Sequence, residues 1–447
     1  MLPEGNIPPS LLPFGDLLSP LGLVSRVQQL PSTEGEPRYP IYTGSLGNPG
    51  EVLGTQKGWS HDPNSGNFDG AGGDIDKGVA AYLSIAESLE RYASISWDPD
   101  HFVWASATEM GEDGIAPAQW PNCSENELRD PRSGLVSSDP RIPIRWVKSW
   151  SLTRNKAVYV PAVQVYLKIT PESAAERYTH PVSTGCAAHT DPIEAVKNGI
   201  LEVVERDSIA LTWLQELPLP EIEIVEEDLN VEHQDFWQKG QSPFLKTRFF
   251  DATTDLGIPV IYGLQLADND EKLATLVAAT CDLNPSKAIA KLLRESASLR
   301  IALRSLSNAY SDTMLNDPED TISVFGGAIL NGKLANRPLY NFLLENKSEK
   351  TTLAKIGRNY KFDNSLHGLV NQLALKGCEV LVVDLTTDEA RAIGAHVVRV
   401  LIPQLMPLSF VHRARYLGHP RLYEAPIAMG HESKPEEKIN PNLQPFA

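Results

Sequence analysis

Apolar positions recur at helical spacing in three long stretches of the chain. From Asp76 to about Ser94, Val79, Leu83, Ala86 and the Leu89/Ala93 pair fall three or four residues apart, which predicts a helix. From Asp191 to about Leu214, Val196, Ile200, Val203 and Val204 repeat the pattern, with Asp191 as an acidic cap and Pro192 at the first helical position. A third periodic stretch begins after Pro285-Ser286 and reaches about Ser305. Between them lie short apolar runs of strand character: Ile144–Val147, Ala157–Val165, Lys246–Phe250, Pro259–Leu266 and Leu273–Cys281. A helix over Ser365–Lys376, a strand over Glu379–Asp384, a short helix and a strand over His396–Ile402 follow. Residues 310–360 read as a polar excursion, and from Pro420 the chain turns polar and proline-spotted. Mixed strand–helix order predicts an α/β (mixed α+β) fold. Its parts are an N-terminal strand-and-loop region over 1–75, a core over 76–426 and a proline-containing tail over 427–447.

One polar pattern recurs on the first two helices. Glu87-Ser88-Leu89-Glu90-Arg91 and Glu202-Val203-Val204-Glu205-Arg206 share the form ExxER. At about 100° per residue, Glu194, Asn198, Glu202 and Glu205 fall at roughly 0°, 40°, 80° and 20°, with Arg206 at roughly 120°. These side chains share one face, while Val196, Ile200, Val203 and Val204 cover the core side. A solvated face alternates its signs, because like charges at i,i+3 or i,i+4 repel. This one gathers carboxylates on a helix flanked by Val, Ile and Leu. Clustered carboxylates on a buried helix need a cation, and hard oxygen ligands suit Mg²⁺. Two arginines complete the picture with the glycine-rich stretch Asn64–Asp74, whose glycines permit close approach to a ligand. Together these point to a metal–polyphosphate site. The chain has no GxxxxGK[ST] loop, no GxGxxG after a strand and no kinase catalytic-loop sequence, so an ATP site here belongs to a fold outside those classes.

Charge narrows the partners. Lys and Arg number 40 against 57 Asp and Glu, a formal net charge of −17. So acidic a chain has no surplus of positive charge with which to displace counterions from nucleic acid, and it gains nothing from an anionic membrane. Cys123, Cys186, Cys281 and Cys378 lie far apart, which fits a reducing cytosol rather than a disulfide scaffold or a zinc ribbon. The start, Met1–Gly5, lacks the basic residues of a signal peptide, and no window approaches the roughly 18 apolar residues of a membrane span. A cytoplasmic protein is expected. Cys186 reads as packing rather than as a nucleophile, Trp97, Trp104, Trp146, Trp150 and Trp213 as core, and Asp251 and Asp255 as turn caps. Residues 435–438 read as a solvated linker.

Three ordered motifs carry a family resemblance. They are Leu83–Tyr92, Ser183–His189 running on to Glu194, Asn198, Glu202, Glu205, Arg206 and Asp207, and Lys291–Glu295 preceded by Ala278–Asp282. With Asp251–Pro259 and Val398–Pro403 as landmarks, the stretch from about Gly70 to about Pro426 resembles the YcaO family of ATP-dependent, amide-activating enzymes. The resemblance implies a YcaO-type fold whose helices carry an acidic ATP and Mg²⁺ site. Glu87, Glu90, Glu202 and Glu205 are then expected to hold Mg²⁺. Ser84, Glu194, Asn198, Lys291 and Arg294 are expected to bind the nucleotide, and Arg91, Arg206, Glu295 and the terminal Ala447 to serve catalysis. The implied activity is a cyclodehydratase that converts Cys, Ser or Thr of a ribosomal precursor peptide into thiazoline or oxazoline rings. Thioamide formation and a catalytically weakened scaffold subunit are the alternatives. Implied partners are the precursor peptide, a separate leader-binding protein resembling ubiquitin-activating enzymes, a flavin-dependent azoline dehydrogenase and a second copy in a homodimer. The chain departs from the family pattern at two places. Lys291 stands where an arginine is usual, which keeps the charge and loses the bidentate fork. The tail NPNLQPFA has Leu443 and Ala447 where prolines are usual, although it keeps Pro441 and Pro445.

Overall fold

Short apolar runs pair into antiparallel sheets, and the periodic stretches become helices laid across them. The computed structural model describes residues 2–57, 69–307, 321–347, 350–359 and 362–447. In chain order the principal elements begin with β1 (Arg26–Gln29), β2 (Ile41–Ser45), β3 (Gly70–Gly73) and α1 (Lys77–Ile95). They continue with β4 (Val103–Ala105), β5 (Ile144–Ser151), β6 (Lys156–Pro161), β7 (Cys186–His189), α2 (Pro192–Gln215) and α3 (Val231–Gly240). Next come β8 (Lys246–Asp251), β9 (Val260–Leu266), β10 (Thr275–Cys281), α4 (Pro285–Ser307) and α5 (Gly326–Asn331). The last are α6 (Leu366–Leu375), β11 (Leu381–Asp384), β12 (His396–Leu401) and α7 (Arg421–Ala428).

Besides a two-stranded parallel pair of Ile222–Glu223 with Thr351–Thr352, the described residues form three larger sheets: β1-β2-β3, β10-β9-β8, and a six-stranded sheet β4-β5-β11-β12-β7 in which β6 also pairs with β5. Every pairing within them is antiparallel, so the mixed α+β reading of the sequence is the one observed. Helix α1 packs on β2 and β3 and also touches β7. Helix α2 lies against β7 and β12 on one side and β10 on the other, and α4 packs on β9 and β10. The two ExxER helices thus meet at β7, and α2 and α4 meet at β10.

The glycines of β3 explain how α1 comes so close. A Cβ on Gly70 would stand 2.3 Å from Ser84 O and 2.4 Å from Ser88 N, and one on Gly72 would stand 2.1 Å from Ala80 O. Only a strand without side chains on that face lets the helix backbone lie on it. The described glycines of the 64–74 stretch therefore admit a helix, where the sequence suggested a ligand. Asn64 to Phe68, with Gly66, lie outside the described residues. Gly185 plays a related part at φ +89°, a Cβ there meeting Val400 O at 2.2 Å, and its carbonyl accepts from Val400 N at 2.8 Å.

Several expectations are corrected. The strand foreseen over Ala157–Val165 ends at Pro161, and Ala162–Val165 forms a helical turn. The stretch after Pro420 contains α7, whose Leu422, Ala425 and Pro426 are buried. Trp146 and Trp213 are core residues, but Trp104 and Trp150 are 49% and 46% exposed. Within 435–438, Pro435, Glu437 and Lys438 are exposed as a solvated linker requires, but Glu436 is tied down, accepting from Ser124 Oγ at 2.7 Å and from Asn126 Nδ2 at 3.0 Å. Ile439 and Phe446 belong to the same apolar core as Val203, Val204 and Trp213 of α2.

A buried ion pair between β5 and the segment joining β6 to β7 anchors that segment. Arg145 and Glu176 are 3% and 1% exposed and join through Nε–Oε1 at 2.9 Å and Nη2–Oε2 at 2.8 Å. Replacing Glu176 with Ala leaves a guanidinium buried without its main partner, a change that typically costs about 3–5 kcal/mol. The expected result is a large fall in the denaturant midpoint; a midpoint within a few tenths of a molar of wild type would refute it.

Candidate active site

Glutamates on a helix point where their backbone sends them, and here four are fixed by peptide N–H groups of neighbouring strands and loops. Glu87 Oε2 accepts from Ala71 N of β3 at 2.8 Å, and Glu90 Oε1 from Ala188 N of β7 at 2.8 Å. Glu202 Oε2 accepts from Gly185 N at 2.8 Å, and Glu205 Oε2 from Cys281 N at the end of β10 at 2.9 Å. Each bond satisfies a donor and orients the carboxylate. In three cases the second oxygen faces an arginine: Glu87 Oε1 to Arg91 Nη2 at 2.7 Å, Glu202 Oε1 to Arg206 Nη2 at 3.5 Å, and Glu205 Oε1 to Arg206 Nε at 4.0 Å. The third motif completes the cluster through Lys291, whose Nζ lies 3.9 Å from Glu295 Oε1, and Arg294, whose Nη2 lies 3.0 Å from the same oxygen.

Electrostatics confirm that these groups share one space. Burial, reinforced by the charges of Glu87 and Glu202, pushes the Glu90 carboxyl up to about 8 despite the Ala188 N–H. Burial also pushes Glu205 up to about 7, with Lys291 and Arg206 opposing and Glu295 and Glu202 adding to the rise. Burial works against the charged form of Lys291, but Glu295 and Glu205 outweigh it and raise the ammonium. Arg91 is raised in the same way by Glu87, Glu90 and Glu202. A cluster that holds its carboxylates in a poorly solvated space favours the binding of a cation.

The sign of the resulting pH dependence follows. Glu90 ionises near 4.5 in an unfolded chain and near 8 in the folded one. Between those values the folded state binds the extra proton, so this group's contribution to stability falls as pH rises. Replacing Glu90 with Gln removes that loss. In the presence of a chelator, the thermal midpoint of the variant relative to wild type is expected to improve steadily from pH 4.5 to about 8. A difference independent of pH would contradict the shift.

Not every residue named from the sequence joins the cluster. Ser84 is fully buried under β3, its hydroxyl donating to Ala81 O at 2.7 Å, so it faces the glycine strand and is corrected from the nucleotide set. Glu194 pairs with Lys197 at 2.8 Å and Asn198 is exposed, both nearer the N-terminal end of α2 than the ExxER turn. Among the described residues no three His, Cys, Asp or Glu side chains form a ready-made metal cage. The four glutamates are instead interleaved with Arg91 and Arg206. That agrees with Mg²⁺ chemistry at polyphosphates, where one or two carboxylates act with phosphate oxygens and water. Arg300, further along α4, does not replace the arginine that is usual at Lys291, since its guanidinium bonds Glu36 at 2.5 and 3.0 Å. Cys186 is buried, receives Arg399 Nη1 at 3.4 Å and has its thiol raised by burial, as expected of a packing residue. Ala447 packs against the apolar group that includes Leu292 and Leu293 of α4. The sequence reading missed the four peptide donors. Gly185, Ala188 and Cys281 lie inside the quoted motifs, but a motif names side chains and is silent about N–H groups. It also missed Phe446, whose ring lies 4.8 Å from the Arg206 guanidinium carbon.

Paired ExxER helices, a third charged helix and buried carboxylates interleaved with arginines define a protein built to hold a magnesium-bound polyphosphate. Residues 73–406 match the family model described as YcaO cyclodehydratase, ATP- and Mg²⁺-binding, and the chain belongs to that family. An uncharacterised protein of Methanothermobacter thermautotrophicus is 25% identical over 333 residues, covering 73% of this chain and 78% of its own length. Among solved structures, a heterocyclase in complex with substrate and cofactor superposes over 100% of this chain with a TM-score of 0.75 at 23% identity. This chain spans 59% of that heterocyclase. YcaO from Methanopyrus kandleri, bound with AMPPCP and Mg²⁺, gives a TM-score of 0.58 at 20% identity and covers 86% of each chain. At these identities the likeness establishes the fold. No helix among the described residues is long and apolar enough to cross a membrane.

Proposed function

We propose that this chain is an azoline-forming peptide cyclodehydratase. The observation that carries the reading is the set of four glutamates, each fixed by a strand or loop N–H and gathered around Arg91 and Arg206. Glu87, Glu90, Glu202 and Glu205 are the residues assigned to Mg²⁺, and Arg206, Lys291 and Arg294 to the phosphates. Glu194 and Asn198 extend along the same face of α2, on the side assigned to the nucleoside. Bound ATP supplies the phosphoryl group that turns an amide oxygen into a leaving group. The chain's own part is electrostatic: Arg91 and Arg206 balance charge that develops on the transferred group, and the carboxylates keep the cation in register. Glu295 orients Lys291 and Arg294, which compete for one of its oxygens.

The peptide's side-chain nucleophile adds to the preceding amide carbonyl, and the amide oxygen departs as phosphate. The Ala447 carboxylate is assigned to proton handling at that step on the strength of the family resemblance, its residue packing against the apolar group that includes Leu292 and Leu293. A separate leader-binding partner belongs to the proposal, as do a ribosomal peptide substrate and a cytoplasmic setting.

The test is incubation of the protein with its precursor peptide, that partner and Mg·ATP, read by mass spectrometry. Loss of one water per modified residue, with equimolar phosphate release, is expected. Exchange of oxygen for sulfur in the presence of sulfide would move the enzyme to the thioamide class. Phosphate release without any change in the peptide would favour a scaffold role.

A further inference from the structure

A guanidinium offers two surfaces: a flat face that aromatic rings attract, and an edge of N–H donors that oxygen atoms attract. At Arg206 these surfaces are used unequally. Phe446 is 4% exposed and stands over the guanidinium at 4.8 Å. Among the described residues the edge makes only long carboxylate contacts, at 3.5 Å to Glu202 and 4.0 Å to Glu205, and the Nε atom is buried with no hydrogen-bond partner. A buried donor without an acceptor is costly, so its persistence requires something that holds the side chain there.

The chain end is built to do so. Asn442 O accepts from Trp213 Nε1 at 3.2 Å, and Leu443 O accepts from the buried Asn331 Nδ2 at 2.5 Å. Gln444 then clamps Phe446 from both sides of its backbone. Its Nε2 donates to Phe446 O at 2.6 Å, and Phe446 N donates to its Oε1 at 2.8 Å. A Cβ on Gly327 would stand 2.0 Å from Gln444 O, so α5 also receives the tail at close quarters. The ring is therefore fixed by α2, α5 and its own neighbour, and none of those bonds involves Arg206.

We propose that Phe446 is a positioning residue: by taking the face of Arg206 it keeps the guanidinium from closing on Glu202 and Glu205, and leaves the N–H edge for a phosphate oxygen of bound ATP. The proposal rests on the reading that Arg206 faces the nucleotide. A leucine at 446 keeps apolar volume but has no π face, whereas tyrosine keeps the face.

The experiment uses the full chain with Mg²⁺ and AMPPCP as the probe, affinity by calorimetry and folding by thermal midpoint. Phe446→Leu is expected to weaken AMPPCP by about three- to tenfold, the size of a partly desolvated cation–π contact. Phe446→Tyr should restore affinity to within about twofold, and in ATP turnover the leucine variant should raise KM more than it lowers kcat. Equal loss in the leucine and tyrosine variants would make the ring simple packing and overturn the proposal. Unchanged affinity in Phe446→Leu alongside strong loss in Arg206→Ala would overturn it too, while sparing the nucleotide reading. Unchanged affinity in both would sink the nucleotide reading itself. Should the leucine variant fail to fold, Phe446→Met makes the same comparison with an unbranched side chain.

Discussion

Glu205→Gln is expected to reduce Mg²⁺-dependent phosphate release by roughly 100-fold or more, since even the outer partners of metal ligands are worth about 10–100-fold. The fold should survive. The amide oxygen of Gln can still accept the Cys281 N–H that now bonds Glu205 Oε2 at 2.9 Å, and the substitution removes an acid that burial has pushed up to about 7. Glu202→Gln should behave alike, because Gly185 N retains an acceptor there. Groups that hold one ion act as a unit, so adding Glu87→Gln to either change should cost far less than the product of the separate losses. Phosphate release with saturating peptide, together with thermal midpoints, decides the matter. Normal turnover in both single variants would remove the metal assignment.

The extent to which this site is legible in the sequence follows from the range of each interaction. Amphipathic period and capping are local, so α1, α2, α4 and α6 are read within a few residues of their ends, Asp76, Asp191 and Ser365 being found as side-chain caps. The shared face of Glu202, Glu205 and Arg206 is equally local, a matter of helix geometry. That Glu90 meets Ala188 across 98 positions, or Glu205 meets Cys281 across 76, is set by the sheets, and no period encodes it. The resemblance brought the three motifs together because it carries tertiary information that spacing lacks. Its weak points were again tertiary. Ser84 follows the helix pattern yet faces a strand of glycines, and α7 hides three buried residues, Leu422, Ala425 and Pro426, in a stretch that reads as polar and proline-spotted. The sequence marks 427–447 only as a proline-containing tail, whereas Leu443 and Phe446 are 5% and 4% exposed and packed into the protein.

That packing changes how the tail must be tested. Deleting Leu443–Ala447 removes two buried apolar side chains, each worth about 1.5–3 kcal/mol when fully buried, so a truncation would confuse folding with catalysis. Removing Ala447 alone is the cleaner cut. Phe446, Gln444 and the Asn331 bond to Leu443 O all remain, while the chain's terminal carboxylate retreats by one residue, about 3.8 Å. If that carboxylate moves a proton during ring closure, a displacement of this size takes it out of hydrogen-bond reach. Ring formation is then expected to fall by about 100-fold or more, within the range general acid–base catalysis supplies, with AMPPCP affinity and thermal midpoint close to wild type. A variant extended by one glycine should show the same selective loss, because it too moves the charge. Full processing by both would mean that the terminus of this chain has no part in the chemistry. Loss of nucleotide affinity in step with processing would place its contribution at the phosphate site, beside Arg206, rather than at the amide.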